Sequence, residues 1–463
     1  MRTIHKIGIG ILVGLSFASG IAARNFSAYH SRVVALKSDD EAVVGTRVAS
    51  TRLSDVANVD IGPIDTLYTV LKNLREHYVE QLTVEDEGKM TYDAMRAMLA
   101  SLGDPNTRFI EPKQRKLLAD AEQGKFHGIG AVLAVKQTFK PNKVKPKEPL
   151  SEEHLIVVSL LPDSPAAKAG LKPGDEIISI NGKDVLPFNP YQHLSEQLTP
   201  EKARDMQPTQ LKKMIDAEQQ RIDGGIGVIE AEQMLISPTD KPLELTLAAK
   251  APAKPAKITV TPQDLTVQSV DPLRMESSDY GYVKVNYFGA DTAAKFAEAM
   301  KELDAKSAKG LIVDLRGASG GNLQSAEQMA GWFAPDKALA VLVKSRGRKA
   351  TVKTEAPQNA KTWEKPMVVL VDRATSKVAE VLAAGLKDSA SAKIVGEKTY
   401  GDFIDTTVID LADGSAVIMA TGKYVTAKGL DYNGKGLPVD AQAATSDQQM
   451  KEAVRLLAAG GKS

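Results

Sequence analysis

The chain has 463 residues, with 59 Lys and Arg against 58 Asp and Glu, 43% hydrophobic residues and no cysteine. That length exceeds one ordinary domain and allows two or three cores, and the composition is that of a globular protein rather than a disordered one. The cancelled charge gives no general attraction to nucleic acid or anionic lipid, and a cysteine-free chain has no disulfide, thiolate metal site or lipoprotein anchor.

Arg2, His5 and Lys6 precede an uncharged run from Ile7 to Ala23, closed by Arg24 and rich in small residues such as Ala18, Gly20 and Ala22. This describes a secretory signal over residues 1–23. The run falls short of the roughly 20 apolar residues of a comfortable membrane span, so a cleaved signal is the first reading and an N-terminal anchor the second. Residues 24–60 show no strong period and read as an arm or linker.

From Pro63 the pattern turns helical, with Ile64, Leu67, Leu71, Leu74 and Tyr78 on one face, then Met90, Ala94, Met98 and Leu99 on a second helix. This helical region covers residues 61–120. Beyond it the texture becomes β. Gly128-Ile129-Gly130 opens a strand, and Leu155 to Leu161 is another. Asp163-Ser164-Pro165 is a capped helix start closed by Gly170. Pro173-Gly174-Asp175 turns into a strand, and Asn181-Gly182 is a tight hairpin signal. A helical insertion occupies about 186–238, starting at Thr199-Pro200-Glu201 and striped by Leu211, Met214, Ile215 and Ile222. Strand texture resumes at Leu243, giving a mainly β region over 121–262. Over 263–463, apolar runs at Leu311–Leu315 and Met367–Val371 alternate with helical stretches near 291–304, 323–333 and 378–387. Runs of that kind are strands covered on both faces, and the alternation predicts an α/β core.

The Gly128-Ile129-Gly130 turn and the segment Ser164-Pro-Ala-Ala-Lys-Ala-Gly-Leu-Lys-Pro-Gly-Asp-Glu-Ile-Ile-Ser-Ile-Asn-Gly182 resemble a PDZ domain. Such a turn offers backbone N–H groups to a peptide carboxylate while a strand edge pairs with the peptide. Around it the chain is similar to the C-terminal processing, or tail-specific, serine peptidases. The similarity runs through Tyr78-Val-Glu80, Gly103-Asp-Pro-Asn-Thr-Arg-Phe-Ile110 and Phe126-His-Gly-Ile-Gly130. It resumes at Gly310-Leu-Ile-Val-Asp-Leu-Arg316, Val395-Gly-Glu-Lys-Thr-Tyr-Gly401 and Gly434-Lys-Gly-Leu-Pro-Val-Asp440. The resemblance implies an α/β peptidase core with an inserted PDZ domain, and a serine nucleophile with a lysine base that trim protein C-termini in the bacterial envelope or in plastids.

The dyad positions depart from that pattern. Thr375-Ser376-Lys377-Val378-Ala379-Glu380 puts Lys377 in the nucleophile's slot, and Tyr400-Gly401-Asp402-Phe403 puts Asp402 in the base's slot. Thr406 stands where the family's orienting glutamine would be. A hydroxyl needs an adjacent base to become a nucleophile, and an ammonium gives amide hydrolysis no easy leaving path. The exchange instead allows a Lys377–Asp402 ion pair, unless both side chains point to water. Ser376 and Thr375 are the fallback nucleophiles, each offset by one or two residues, with Lys398 as a base. Gly320, Gly321 and the N–H of Val378 are the oxyanion-like donors. His77, His127, His154 and His193 lack metal-ligand spacing, and no metal or cofactor is expected.

The sequence thus predicts a PDZ-containing pseudopeptidase exported to the bacterial periplasm or cell envelope, held there by its N-terminus if the signal is uncleaved. It would bind unfolded or C-terminal peptide segments. An active peptidase, another envelope protein or a second copy of the chain are the further partners, with no nucleic acid. The rival reading is an active peptidase rewired through Ser376 or Thr375.

Overall fold

The computed structural model describes residues 62–460, apart from 105, 141–149, 188–189, 191–193, 195–197, 199–203, 237–240, 249–254, 277–278 and 357–360. The expected signal and arm, the helix start at Thr199 and His193 lie outside the described residues. No helix among the described residues is long and apolar enough to cross a membrane.

Helices α1 (Gly62–His77) and α2 (Val84–Ala100) come first. A capping box starts α2: Thr83 Oγ1 accepts from the Asp86 N–H at 3.1 Å and the Asp86 carboxylate accepts from the Thr83 N–H at 2.9 Å. The apolar stripes that predict these helices are not core. Leu67, Tyr78 and Met98 are 46%, 51% and 63% exposed, and no residue of α2 is buried. Periodicity reports an amphipathic helix, and what covers its face is decided elsewhere.

Strand β1 (Arg108–Ile110), helix α3 (Pro112–Glu122) and strand β2 (Lys125–Gly128) lead into a β-rich module. There β3 (Ala131–Lys140) pairs antiparallel with β4 (Leu150–Leu160). Helix α4 (Pro165–Lys168) starts where the Ser164 hydroxyl accepts from the Ala167 N–H at 3.2 Å. Strands β5 (Ile177–Ile180) and β6 (Lys183–Leu186) form a hairpin whose turn, Asn181-Gly182, takes φ of 52° and 76°. Those two positive values are what this dipeptide supplies. Helix α5 (Pro208–Gly224), strand β7 (Ile226–Gly227) and helix α6 (Val228–Ile236) make up the described insertion. Strands β8 (Leu243–Leu247) and β9 (Ala256–Val260) complete a sheet of order β7-β6-β5-β8-β9. Ile129, Val157, Ile177, Ile180, Leu235 and Leu245 fill this module's core.

Strand β10 (Gln263–Thr266) returns the chain and pairs with β2, so the entry and exit of the module form one ribbon. Next come β11 (Arg274–Glu276), β12 (Tyr280–Lys284), helix α7 (Thr292–Ala305), β13 (Gly310–Asp314) and helix α8 (Leu323–Gly331). Strands β14 (Ala338–Lys344) and β15 (Lys349–Lys353) form a hairpin, followed by β16 (Met367–Val371), helix α9 (Val378–Ser389) and β17 (Lys393–Gly396). Strands β18 (Ile404–Asp410), β19 (Ala416–Thr426) and β20 (Ala441–Gln442) and helix α10 (Ser446–Gly460) end the chain. The main sheet has the order β11-β12-β13-β16-β17-β20, parallel from β12 onward. Val283, Leu311, Val313, Val369 and Ile394 face one core, while Ile312, Val368, Leu370 and Val395 face Ala453 and Leu457 of α10. Both faces are therefore buried, which is why β13 and β16 read as unbroken apolar runs. A second sheet runs β1-β19-β14-β15, with β18 on the free side of β19.

Candidate functional site

The parallel strands point their carboxyl ends at one loop cluster, the usual place for a site in an α/β sheet. Strand β16 ends at Val371, and Asp372 then ties the connection together. Its Oδ1 accepts from the N–H groups of Gly317, Ala374 and Thr375 at 3.1, 3.0 and 2.9 Å. The turn delivers Lys377 with φ 55° and ψ −124°, immediately before α9. Positive φ in a non-glycine residue costs about 1–3 kcal/mol, and a sharp strand-to-helix turn of this kind presents a nucleophile in other hydrolases. Here it presents an ammonium group.

Lys377 Nζ stands 3.4 Å from Asp402 Oδ2, with the side chains 37% and 14% exposed. Glu380, one turn into α9 and buried, fixes the opposing loop. Its carboxylate accepts from the Thr399 hydroxyl and from the N–H groups of Gly401 and Asp402 at 2.7 and 2.8 Å. Burial pushes the Glu380 carboxyl up to about 7 against the pull of those three donors.

The fallback hydroxyls are enclosed. Thr375 is fully buried, with Oγ1 2.9 Å from the Leu315 carbonyl and 3.1 Å from Asp372 Oδ1, and it accepts from the Asp372 N–H. Three backbone N–H groups and the Thr375 hydroxyl converge on that one Asp372 oxygen. Ser376 is 1% exposed and donates to Ser319 Oγ at 2.5 Å. Lys398 is exposed and has no ion pair among the described residues. Thr406 lies exposed on β18, opposite Ala420.

The Ser376 N–H donates to the Ala318 carbonyl at 3.1 Å, which holds the glycine loop beside the elbow. Gly320 and Gly321 have φ of 70° and 90°. A Cβ on Gly321 would lie 2.2 Å from the Phe288 carbonyl oxygen, so only glycine fits there. The N–H groups of Gly320, Gly321 and Val378 make no hydrogen bond among the described residues. Gly320 and Gly321 thus lie on the glycine loop that Ser376 ties to the elbow, and Val378 opens α9 on the elbow's far side. Ser319 and Asp372 were the neighbours that sequence reasoning missed. The Asp-Arg-Ala-Thr turn after β16 was the available signal for Asp372.

At the other candidate site, Gly128 and Gly130 have φ of 94° and 72°. The Ile129 side chain is buried, and its N–H already donates to the Leu235 carbonyl of α6 at 2.9 Å. One of the expected carboxylate donors is thus committed within the chain. The histidines have other duties: His127 bridges Asp264 at 2.6 Å and Asp120 at 3.2 Å, and His154 contacts Glu176 at 2.7 Å. No group of three potential metal ligands occurs among the described residues.

Residues 279–443 match the family model of peptidase family S41, and residues 156–203 match that of the PDZ domain. The chain is 27% identical over 409 residues to the carboxy-terminal processing protease CtpA of Bacillus subtilis (strain 168), covering 88% of this chain and 73% of that one. It is 28% identical over 382 residues to the chloroplastic C-terminal processing peptidase of Tetradesmus obliquus, covering 80% and 71%. Among solved structures, the photosystem II D1 C-terminal processing protease superposes with a TM-score of 0.58 at 25% identity, over 85% of this chain and 91% of that chain. Residues 279–443 of the α/β core thus form a peptidase family S41 domain, joined here to a PDZ domain, and the chain is a homologue of the carboxy-terminal processing proteases.

Proposed function

We propose that this protein is an exported, non-catalytic member of its family, which binds peptides or protein C-termini and serves as a scaffold or regulator of an envelope peptidase. The observation that carries the reading is the Lys377–Asp402 pair at 3.4 Å, on the elbow and the loop where a hydroxyl and its base would have to meet. An ammonium held by a carboxylate has no lone pair to attack a carbonyl, and the carboxylate is occupied by the ammonium. The buried Thr375 and Ser376 weigh against the rewired enzyme, because neither offers its oxygen to a substrate or to a free base. The PDZ module supports the binding half of the reading, and the N-terminal apolar run with bacterial relatives supports export.

Cleavage is the test. The purified chain is incubated with unfolded casein and tailed peptides, and products are read by mass spectrometry beside a Lys377→Ser, Asp402→Lys, Thr406→Gln variant. No new C-termini from the natural chain is the expected result. Cutting that Ser376→Ala abolishes would overturn the proposal in favour of a rewired peptidase.

A further inference from the structure

Charge that cancels over the whole chain does not cancel locally. Residues 337–354 carry Lys337, Lys344, Arg346, Arg348, Lys349 and Lys353 and no Asp or Glu, in a chain of formal net charge +1. The fold collects these cations on one hairpin: β14 and β15 pair from Ala338↔Lys353 to Val343↔Lys349. All six residues are exposed. Four of them crowd the tip, Lys344-Ser345-Arg346-Gly347-Arg348-Lys349, where Arg346 and Gly347 turn the chain at φ of 59° and 71°. None of the six forms an ion pair among the described residues, although cations elsewhere on this surface do, as Lys423 does with Asp431 and Lys428 with Asp388.

Lysines on an edge strand discourage pairing with other sheets, and β15 is the edge of its sheet. That accounts for Lys349 and Lys353. It does not account for Arg346 and Arg348 in the turn, or for Lys344 at the end of the inner strand β14, which have no edge to defend. The tip also lacks any apolar side chain, so it offers none of the buried anchors on which a protein interface depends. What it offers is a set of forked and point-like donors suited to phosphate oxygens presented over a plane.

We propose that the β14–β15 tip is a contact surface for the phosphate headgroups of an anionic bilayer. Each cation near an anionic leaflet strengthens attachment by about five-fold. The four tip cations therefore give a salt-sensitive attachment of several hundredfold over a tip without them.

The absence of cysteine allows a direct test on the full chain. Ser345→Cys carries an environment-sensitive dye at the tip, and Ala305→Cys carries the same dye at the end of α7. Vesicles of phosphatidylcholine alone, or with phosphatidylglycerol, are titrated in. The expected result is a dye response at 345 but not at 305, with the phosphatidylglycerol vesicles only. It should vanish in high salt, and Arg346→Ala, Arg348→Ala and Lys349→Ala together should weaken it about a hundredfold. An equal response to neutral vesicles, no response at all, or a response that survives the triple variant would each overturn the proposal. So would a dye that answers to polyglutamate and not to vesicles, which would make the partner an acidic polypeptide.

Discussion

Two opposing effects act on Lys377. Its positive φ is strained, and its ion pair with Asp402 is partly exposed, so solvent screens most of the attraction. Strain should win. Lys377→Gly is expected to be more stable than Lys377→Ala by about 1 kcal/mol or more, because both lose the pair and only glycine relaxes the backbone. Urea denaturation of the two variants checks this, and equal midpoints would mean the elbow is not strained. A double-mutant cycle with Asp402→Asn should return a coupling of about 0–1 kcal/mol. Glu380 makes a separate claim about pH. Its carboxyl is raised from the ordinary 4.5 to about 7 when folded, so between those values the folded chain binds a proton that the unfolded chain has released. The stability this group contributes is full below about pH 4.5 and is lost as pH rises through 7, by at most about 3 kcal/mol. Glu327, raised to about 7 by burial and then by Glu355, adds to the same slope. The measurement is therefore the difference between the natural chain and Glu380→Gln across that window, and parallel curves would remove Glu380 as the cause.

Two glycine turns that look alike in sequence should respond differently to one methyl group. Gly182 has φ 76° and open space around its missing Cβ, so Gly182→Ala is expected to cost about 1 kcal/mol from backbone strain alone. Gly128 has φ 94°, and a Cβ there would meet the Leu235 carbonyl oxygen at 2.2 Å and Ile236 Cα at 2.5 Å. Gly128→Ala should cost several-fold more in urea denaturation, since backbone must move to admit it. The contrast also marks what sequence can carry. Asn181-Gly182, the Ser164 cap and the β13 and β16 runs are local signals, and each element stands where its pattern predicts. The placement of Lys377 opposite Asp402 was legible because two motifs with fixed spacing bring their slots together. Burial of Thr375 and Ser376 was not, since their partners Leu315 and Ser319 come from another strand's loop. Nor was the exposure of the α1 and α2 stripes, because periodicity names a face without naming its cover.

At the scale of the molecule, the β-rich module is joined to the peptidase-like core by side-chain pairs as well as by the chain itself. The ribbon of β2 and β10 carries both chain crossings, with His127 bridging Asp120 of α3 and Asp264 of β10. Away from it, Arg108 of β1 holds both carboxylate oxygens of Glu232 on α6 at 2.8 and 3.0 Å. These partners are 124 residues apart, and no sequence signal joins them. Glu232 is 8% exposed while Arg108 stays half in solvent, so cutting the pair frees an arginine that water can accommodate. The consequence should be felt on α6, whose Leu235 carbonyl occupies the Ile129 N–H. Glu232→Ala is therefore expected to speed amide hydrogen exchange at Ile129 while leaving the β13 and β16 amides unchanged. With that N–H released, binding of a C-terminal peptide to the Gly128-Ile129-Gly130 loop should tighten several-fold, read by fluorescence anisotropy. Faster exchange with weaker binding would instead make α6 a wall of the groove, and unchanged exchange would show that Arg108 does not hold α6 in place.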